Sequence, residues 1–196
     1  PERIKALFSR MIPLKWDKYL ENTRKIPQFT LKTPLFAGRI YRDTYGNVVF
    51  PHFDNTGVCG LELKNADKGV FVRGSAKGLW ASTINPNAET LVITESPIDG
   101  LSYFTLFPDL QKLGVVFASV SGGLRPHQVQ LIIDLIKRLP NLRKIILAVD
   151  HDQGGEKIEK TIRDGVKNAD AFFGDMLTHV PEKMGDDWNE VLKNRR

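Results

Sequence analysis

Short apolar runs alternate with helical patterns through the second half of this 196-residue chain. The predicted strands cover residues 90–94, 115–120, 144–149 and 176–180. The predicted helices cover residues 97–107, 126–139, 155–168 and 187–192. Within the second of these helices, Val129, Ile132 and Ile136 recur at helical spacing. Because strands that alternate with helices form βαβ crossovers, the pattern predicts an α/β fold with a doubly wound, mostly parallel sheet.

The first half has a different pattern, with one short predicted helix at residues 14–24 followed by β segments. Residues 39–42 and 48–50 flank a turn that contains Gly46, which predicts a β-hairpin. A turn at residues 85–89 marks a boundary. We therefore expect a smaller, β-rich α+β subdomain over residues 1–88, followed by the parallel-sheet domain over residues 89–196.

Composition excludes several classes of protein. A single cysteine, Cys59, rules out an internal disulfide framework and a cysteine-based zinc ribbon. No apolar run approaches the ~18 residues of a membrane span, and the first residues contain no signal-peptide core. We expect a cytoplasmic protein that does not enter a membrane. Because the chain starts at proline and ends just after a helical pattern, we also expect a fragment of a longer polypeptide.

Charge is distributed unevenly along the chain. Residues 1–88 carry 14 Lys and Arg against 7 Asp and Glu (+7), whereas residues 89–196 carry 14 against 16 (−2). A basic first half suits a polyanion, and an acidic second half with clustered aspartates suits divalent cations. Nucleic acid with a metal is therefore one interpretation, and ordinary variation in surface charge is the other.

Acidic residues follow two of the predicted strands directly. Glu95 comes after residues 90–94, and Asp150 and Asp152 come after residues 144–149. The carboxyl ends of parallel strands meet at one edge, beside helix N-termini. These three carboxylates could share Mg²⁺, the cation that partners phosphates. Each alone could be only a loop or cap residue. Gly122 and Gly123, at another strand end, form either a tight turn or a loop that cradles phosphate.

Together these segments resemble the TOPRIM domain, a fold shared by bacterial-type DNA primases, topoisomerases and some nucleases. Four segments are similar to TOPRIM motifs: TLVITESPIDGLSY, ASVSGGLRPHQ, LAVDHDQGGEK and PEKMGDDWNEVL. The resemblance implies that Glu95 is an acid/base or metal-linked residue and that Asp150 and Asp152 are metal ligands. The last segment is similar to the primase ending, which implies that Asp187 is a supporting acid.

The first half is also similar to primases. GRIYRDTYGNVVFPHFDNTGVCGLELKN resembles the β-rich subdomain that precedes TOPRIM, and KGLW resembles primase-like modules of plasmid mobilisation and other mobile-element proteins. This resemblance implies that Arg39, Lys64, Arg73 and Lys77 line a groove for template or nucleotide phosphates. Each of these residues could instead be a solvated surface cation.

The leading hypothesis is a primase-like nucleotidyltransferase that uses Mg²⁺ or Mn²⁺, NTPs and a single-stranded DNA or RNA template. It would work within a larger replication or mobilisation polypeptide or with a helicase. The alternatives are a TOPRIM nuclease that cuts phosphodiesters and a non-catalytic, DNA-binding accessory module. A P-loop NTPase is disfavoured because no Gly-x-x-x-x-Gly-Lys-Ser/Thr motif occurs.

Overall fold

A computed structural model describes residues 2–66 and 69–195 of the chain. The α-helices are α1 (Glu2–Phe8), α2 (Gln28–Lys32), α3 (Pro97–Leu106), α4 (Pro126–Lys137), α5 (Gln153–Asn168) and α6 (Trp188–Asn194). The strands are β1 (Ile12–Pro13), β2 (Tyr41–Arg42), β3 (Val48–Asp54), β4 (Gly57–Lys64), β5 (Gly69–Phe71), β6 (Trp80–Ala81), β7 (Thr90–Thr94), β8 (Val115–Ser119), β9 (Lys144–Ala148) and β10 (Asp175–His179). A π-helical turn at Tyr19–Thr23 and a 3₁₀ helix at Pro108–Leu113 complete the elements.

Two five-stranded sheets form the framework. The first is antiparallel, with the order β1-β2-β3-β4-β5. The second has the order β10-β9-β7-β8-β6, in which only β6 runs antiparallel to its neighbour. The predicted fold class, a mostly parallel doubly wound sheet preceded by a β-rich subdomain, is confirmed.

The two faces of the second sheet bury different helices. Along β7, Val92 packs in one cluster with α3 and α6, while Leu91 and Ile93 pack in another with α4 and α5. This alternation follows from the two-residue period of a strand. Both faces are therefore covered, as is usual for a parallel sheet.

The prediction of a helix over residues 14–24 is wrong in extent, because only Tyr19–Thr23 is helical. Leu14 donates a backbone hydrogen bond to Ile40 O at 2.9 Å, which keeps the start of this segment extended. The Asp17 carboxylate then accepts from Tyr19 N at 2.8 Å and from Leu20 N at 3.2 Å. Helical structure therefore begins only after the aspartate. The predicted hairpin is confirmed, because β2 pairs with β3.

The two halves of the chain share one core. Phe36 and Phe50 from the first half pack in the same cluster as Phe104 and Phe117 from the second. Trp80 lies within this cluster, fully buried, and its Nε1 donates to Arg39 O at 2.8 Å. Since β6 also joins the second sheet, the division at residues 88 and 89 does not separate two independent cores. The division into two domains at this point stays a prediction.

A buried polar seam joins the first sheet to the second. The Gly78 carbonyl accepts from His52 Nδ1 and from Gln128 Nε2, each at 2.8 Å. Gln128 Nε2 also donates to Val120 O at 2.9 Å. Both side chains are fully buried, so these bonds satisfy groups that water does not reach. The seam fixes the end of β8 and the start of α4 against the first half.

None of the helices in the described part of the chain has the length and hydropathy that a membrane span requires.

We predict that Gly78→Ala destabilises the protein by about 1 to 3 kcal/mol, the usual cost of overpacking. An added Cβ would lie 2.3 Å from Phe53 O and 2.6 Å from Cys59 Sγ. Gly123→Ala is the matched control because nothing lies within 4 Å of its added Cβ. Urea unfolding measures the difference, and equal losses in the two variants would refute this account of the seam.

Candidate active site

Parallel pairing of β7 with β9 brings the first two predicted acids together. Thr94 is paired with Ala148, so the residues that follow these strands emerge at the same edge. Asp150 N donates to Glu95 Oε1 at 3.3 Å. Glu95 and Asp150 are therefore neighbours across the sheet although 55 positions separate them.

Two further predicted acids begin helices beside this pair. Asp152 caps α5, with its Oδ1 accepting from Gly155 N at 2.8 Å. Asp187 caps α6, with its Oδ1 accepting from Glu190 N at 2.6 Å. Each cap uses one carboxylate oxygen, and the described residues give the other oxygen no hydrogen-bond partner. Both acids can therefore cap and still offer an oxygen to a ligand.

Asp99 is a fifth acid at this edge, and the sequence analysis missed it. It lies in the first turn of α3 and is only 4% exposed. Ser96 Oγ donates to Asp99 Oδ2 at 2.5 Å, and Asn189 N donates to Oδ1 at 3.3 Å. The available signal was the Ser-x-x-Asp spacing, which ordinarily indicates only a capping interaction at a helix start.

We call Glu95, Asp99, Asp150, Asp152 and Asp187 the acidic cluster. Burial raises the pKa of Asp150, and the nearby carboxylates, Asp99 foremost, raise it further. Burial and then Asp187 likewise raise the pKa of Asp99. Burial raises the pKa of Glu95, with smaller contributions from Asp152 and Asp187. The five side chains thus lie close enough to oppose one another's ionisation.

The acidic cluster has the donor chemistry of a divalent-cation site. Asp150 Oδ1 is buried and has no hydrogen-bond partner in the described part of the chain. Carboxylate oxygens are the ligands that Mg²⁺ prefers. Among residues 2–66 and 69–195, however, no three His, Cys, Asp or Glu side chains stand close enough together to hold one ion. The residue types fit a cation, but the side chains do not converge on one point in this structure.

His151 lies between two acids of the cluster but bonds elsewhere. Its Nδ1 donates to Pro181 O at 2.8 Å, and its backbone bonds to Gly185 N at 2.8 Å and to Asp186 O at 3.2 Å. The loop of residues 181–187 is therefore pinned to the turn that carries Asp150 and Asp152.

The glycine loop after β8 lies between the acidic cluster and a lysine. Gly122 N donates to Glu95 O at 3.0 Å, and Lys77 Nζ donates to Gly123 O at 2.6 Å. Burial, and then Arg125, lower the pKa of Lys77. This loop thus connects one predicted acid to one predicted base through two hydrogen bonds, and both glycines are exposed.

Lys64 reaches the same loop through a buried network that sequence analysis did not identify. Lys64 Nζ lies 2.8 Å from Glu62 Oε1, and Ser121 Oγ donates to Glu62 Oε2 at 2.7 Å. His52 Nε2 lies 3.0 Å from Ser121 Oγ. Burial opposes ionisation of Glu62, but bonds from His52 and Lys64 lower its pKa to about 2. The carboxylate therefore stays charged and holds Lys64 beside the loop.

The other two predicted basic residues lie apart from this group. The Arg39 guanidinium sits over the Phe53 ring, 5.5 Å from its centroid. Burial lowers its pKa, as does the charge of Arg138. Arg73 is exposed in a turn. Among the described contacts, none joins Arg39 or Arg73 to Lys64, Lys77 or the glycine loop.

A protein-family comparison places the whole acidic cluster within one known domain. The Toprim-like family model matches residues 92–192, which is just over half of the chain. The chain belongs to the Toprim-like family. Residues 18–88 match a second family, described as a protein of unknown function (DUF3991). No curated protein matches the chain.

A solved primase structure resembles the Toprim-like chain in fold. The primase fragment of the bacteriophage T7 primase-helicase protein is 19% identical, with a TM-score of 0.58. That alignment covers 95% of this chain and 72% of the T7 fragment. A DNA primase domain from Pseudomonas aeruginosa is 15% identical, with coverages of 98% and 67% and a TM-score of 0.47. The T7 likeness confirms a primase-like fold that includes both halves.

We predict that Asp150→Asn makes the protein less sensitive to rising pH. The folded-state pKa values of the buried acids lie above their unfolded values, so the unfolded chain releases protons first. The free energy of unfolding therefore falls as pH rises from about 4 through the raised pKa values. We expect the variant to lose about 1 kcal/mol less than wild type between pH 5 and pH 8.

Urea unfolding at both pH values measures this difference, and Asp175→Asn, an exposed position at the start of β10, is the control. If the free energy of unfolding changed equally with pH in wild type and Asp150→Asn, the raised pKa of Asp150 would be contradicted.

Proposed function

We propose that the chain is a primase-like catalytic core that joins NTPs into a new primer on a single-stranded DNA template. The observation that carries the proposal is the unpartnered, buried Asp150 Oδ1 inside a cluster of five carboxylates. A buried polar atom without a partner is costly, and a bound cation would satisfy this one. RNA is the alternative template.

Mg²⁺ or Mn²⁺ is the proposed cofactor. Glu95, Asp150 and Asp152 would hold it, with Asp99 and Asp187 as supporting acids. When bound, the cation would neutralise phosphate charge and stabilise the in-line displacement at the α-phosphorus, in which the hydroxyl oxygen attacks and pyrophosphate leaves. The cation would also relieve the repulsion that raises the pKa values of the buried acids.

The chain's own residues supply positioning and proton transfer. Lys77 and Lys64, held at the glycine loop, would orient the triphosphate, and Gly122 and Gly123 allow close approach because their Cα atoms face open space. Glu95 would accept the proton from the attacking hydroxyl of the first NTP or of the growing primer. Burial raises the pKa of Glu95, and a raised pKa makes a carboxylate a stronger general base.

Arg39 and Arg73 lie outside this arrangement, and we propose that they contact template phosphates at a distance from the reacting groups. The proposal extends to residues 1–88 as a template-holding subdomain and residues 89–196 as the catalytic domain. The T7 relative is a primase-helicase protein. By analogy we propose that this chain acts in the cytoplasm within a larger replication or mobilisation polypeptide, or with a helicase.

We predict that Mg²⁺ or Mn²⁺ raises the melting temperature of the wild-type protein. A cation at 100 times its dissociation constant stabilises the folded state by about 2.7 kcal/mol. The double variant Asp150→Asn with Asp152→Asn should lose the shift, whereas Asp175→Asn should keep it. Differential scanning fluorimetry at fixed ionic strength provides the measurement, and an unchanged wild-type melting temperature would count against the metal site.

We predict that wild type, but not Glu95→Gln, makes new oligonucleotides from single-stranded DNA, labelled NTPs and Mg²⁺ or Mn²⁺. Glu89→Gln is the matched control, because Glu89 is exposed and precedes the same strand that Glu95 follows. Products are resolved by size. Shortened substrate would replace the proposal with a nuclease, and salt-sensitive binding without any product would replace it with an accessory binding module.

A further inference from the structure

Ser121 has a backbone conformation that residues other than glycine rarely adopt. Its φ is 55°, in the left-handed region, at the point where the chain leaves β8 and enters the glycine loop. Two other non-glycine residues in the described chain have positive φ, Lys25 and Asp170, and both are exposed. Ser121 is only 9% exposed. A strained conformation persists where surrounding contacts impose it, and such residues cluster at functional sites.

Two buried side chains of the antiparallel sheet hold the Ser121 hydroxyl. Ser121 Oγ donates to Glu62 Oε2 at 2.7 Å and lies 3.0 Å from His52 Nε2. Glu62 is 5% exposed and His52 is fully buried, with its Nδ1 fixed on Gly78 O at 2.8 Å. A hydrogen bond to a carboxylate is among the stronger kinds, so it offsets part of the cost of the strained φ. The strained residue is therefore anchored to the first half of the chain.

The conformation of Ser121 sets the course of the loop that follows it. Gly122 also has a positive φ, of 75°, so two successive residues turn the chain before Gly123. Gly122 N donates to Glu95 O at 3.0 Å, which ties this turn to the acidic cluster. Among the described residues, the backbone N–H groups of Gly123 and Leu124 have no acceptor. Free N–H groups at a turn of this kind are suited to bind phosphate oxygens.

We propose that Ser121 is a positioning residue for the triphosphate of a bound NTP. Its hydroxyl would lock the loop so that the N–H groups of Gly123 and Leu124 meet the phosphates, and Ser121 itself would not touch the substrate. The inference rests on the proposed nucleotide-handling function. Glycine would adopt a φ of 55° without strain, so a serine here adds fixed bonds in place of freedom. Fixed bonds are what a preorganised binding loop requires.

The test measures the dissociation constant of inorganic triphosphate by titration calorimetry with Mg²⁺. Ser121→Ala and Ser121→Gly both lose the contacts with Glu62 and His52. Each should weaken triphosphate binding about tenfold, the order of a lost hydrogen bond to a charged group. Ser119→Ala is the matched control, because Ser119 is fully buried in β8 and its Oγ has no partner in the described chain. This variant loses no hydrogen bond, so its affinity should stay within about twofold of wild type.

Melting temperatures separate positioning from stability. Alanine keeps the strained φ without the bonds, whereas glycine accepts this φ freely, so Ser121→Gly should melt above Ser121→Ala. Positioning predicts that the two variants lose affinity alike although they differ in stability, because both lack the hydroxyl. Ser121→Gly also keeps the test valid if Ser121→Ala fails to fold. An unchanged affinity in either folded Ser121 variant, or an equal loss in Ser119→Ala, would overturn the proposal.

The kinetics of primer synthesis provide a second measurement. Ser121→Ala should raise the KM for NTPs about tenfold and leave kcat within about threefold, because the lost interaction acts on substrate binding and not on the reacting atoms. A loss confined to kcat would contradict the positioning role.

The outcome is separable from that of the proposed function. If wild type makes product while the Ser121 variants bind triphosphate normally, the positioning role fails and the primase proposal stands. If wild type makes no product but the Ser121 variants bind triphosphate more weakly than wild type, the reaction assignment fails and the positioning role stands.

Discussion

The parallel register between β7 and β9 is the constraint on which the candidate site depends. Thr94 opposite Ala148 places Glu95 one residue past one strand and Asp150 two residues past the other. A shift by one residue would exchange the two faces of β9 and move Ile145 and Leu147 from the cluster with α4 and α5 to the cluster with α3 and α6. The hydrophobic pattern that fixes the register therefore also fixes the distance between the acids.

The acidic cluster opposes folding at neutral pH, and the fold limits this cost by giving its members different environments. Asp152 and Asp187 lie at the N-termini of α5 and α6, where unpaired backbone N–H groups favour negative charge. Asp99 and Asp150 are more deeply placed, where ionisation is unfavourable. The capping acids thus contribute to helix stability, whereas the buried acids gain from binding a cation.

How far the sequence predicts this site depends on whether each residue has a local signal. Glu95 and Asp150 directly follow apolar strands, so strand prediction alone places them at one edge. Asp99 was not predicted as a site residue because its spacing from Ser96 is already explained by a helix cap. Fold prediction succeeded in the βα repeats for the same reason, and it failed over residues 14–24, where the Asp17 side chain competes with the helix for backbone N–H groups.

The contacts that no local pattern can predict are those between the two halves. Ser121 bonds to Glu62 and His52 across 59 and 69 positions, and only the completed fold brings them together. This network and the Gly78 seam hold Lys64 and Lys77 to the glycine loop, and that loop bonds to the backbone of Glu95. The cationic and acidic side chains are therefore joined by one continuous set of hydrogen bonds. A substrate that bridges them meets a preorganised site and does not have to draw two mobile domains together.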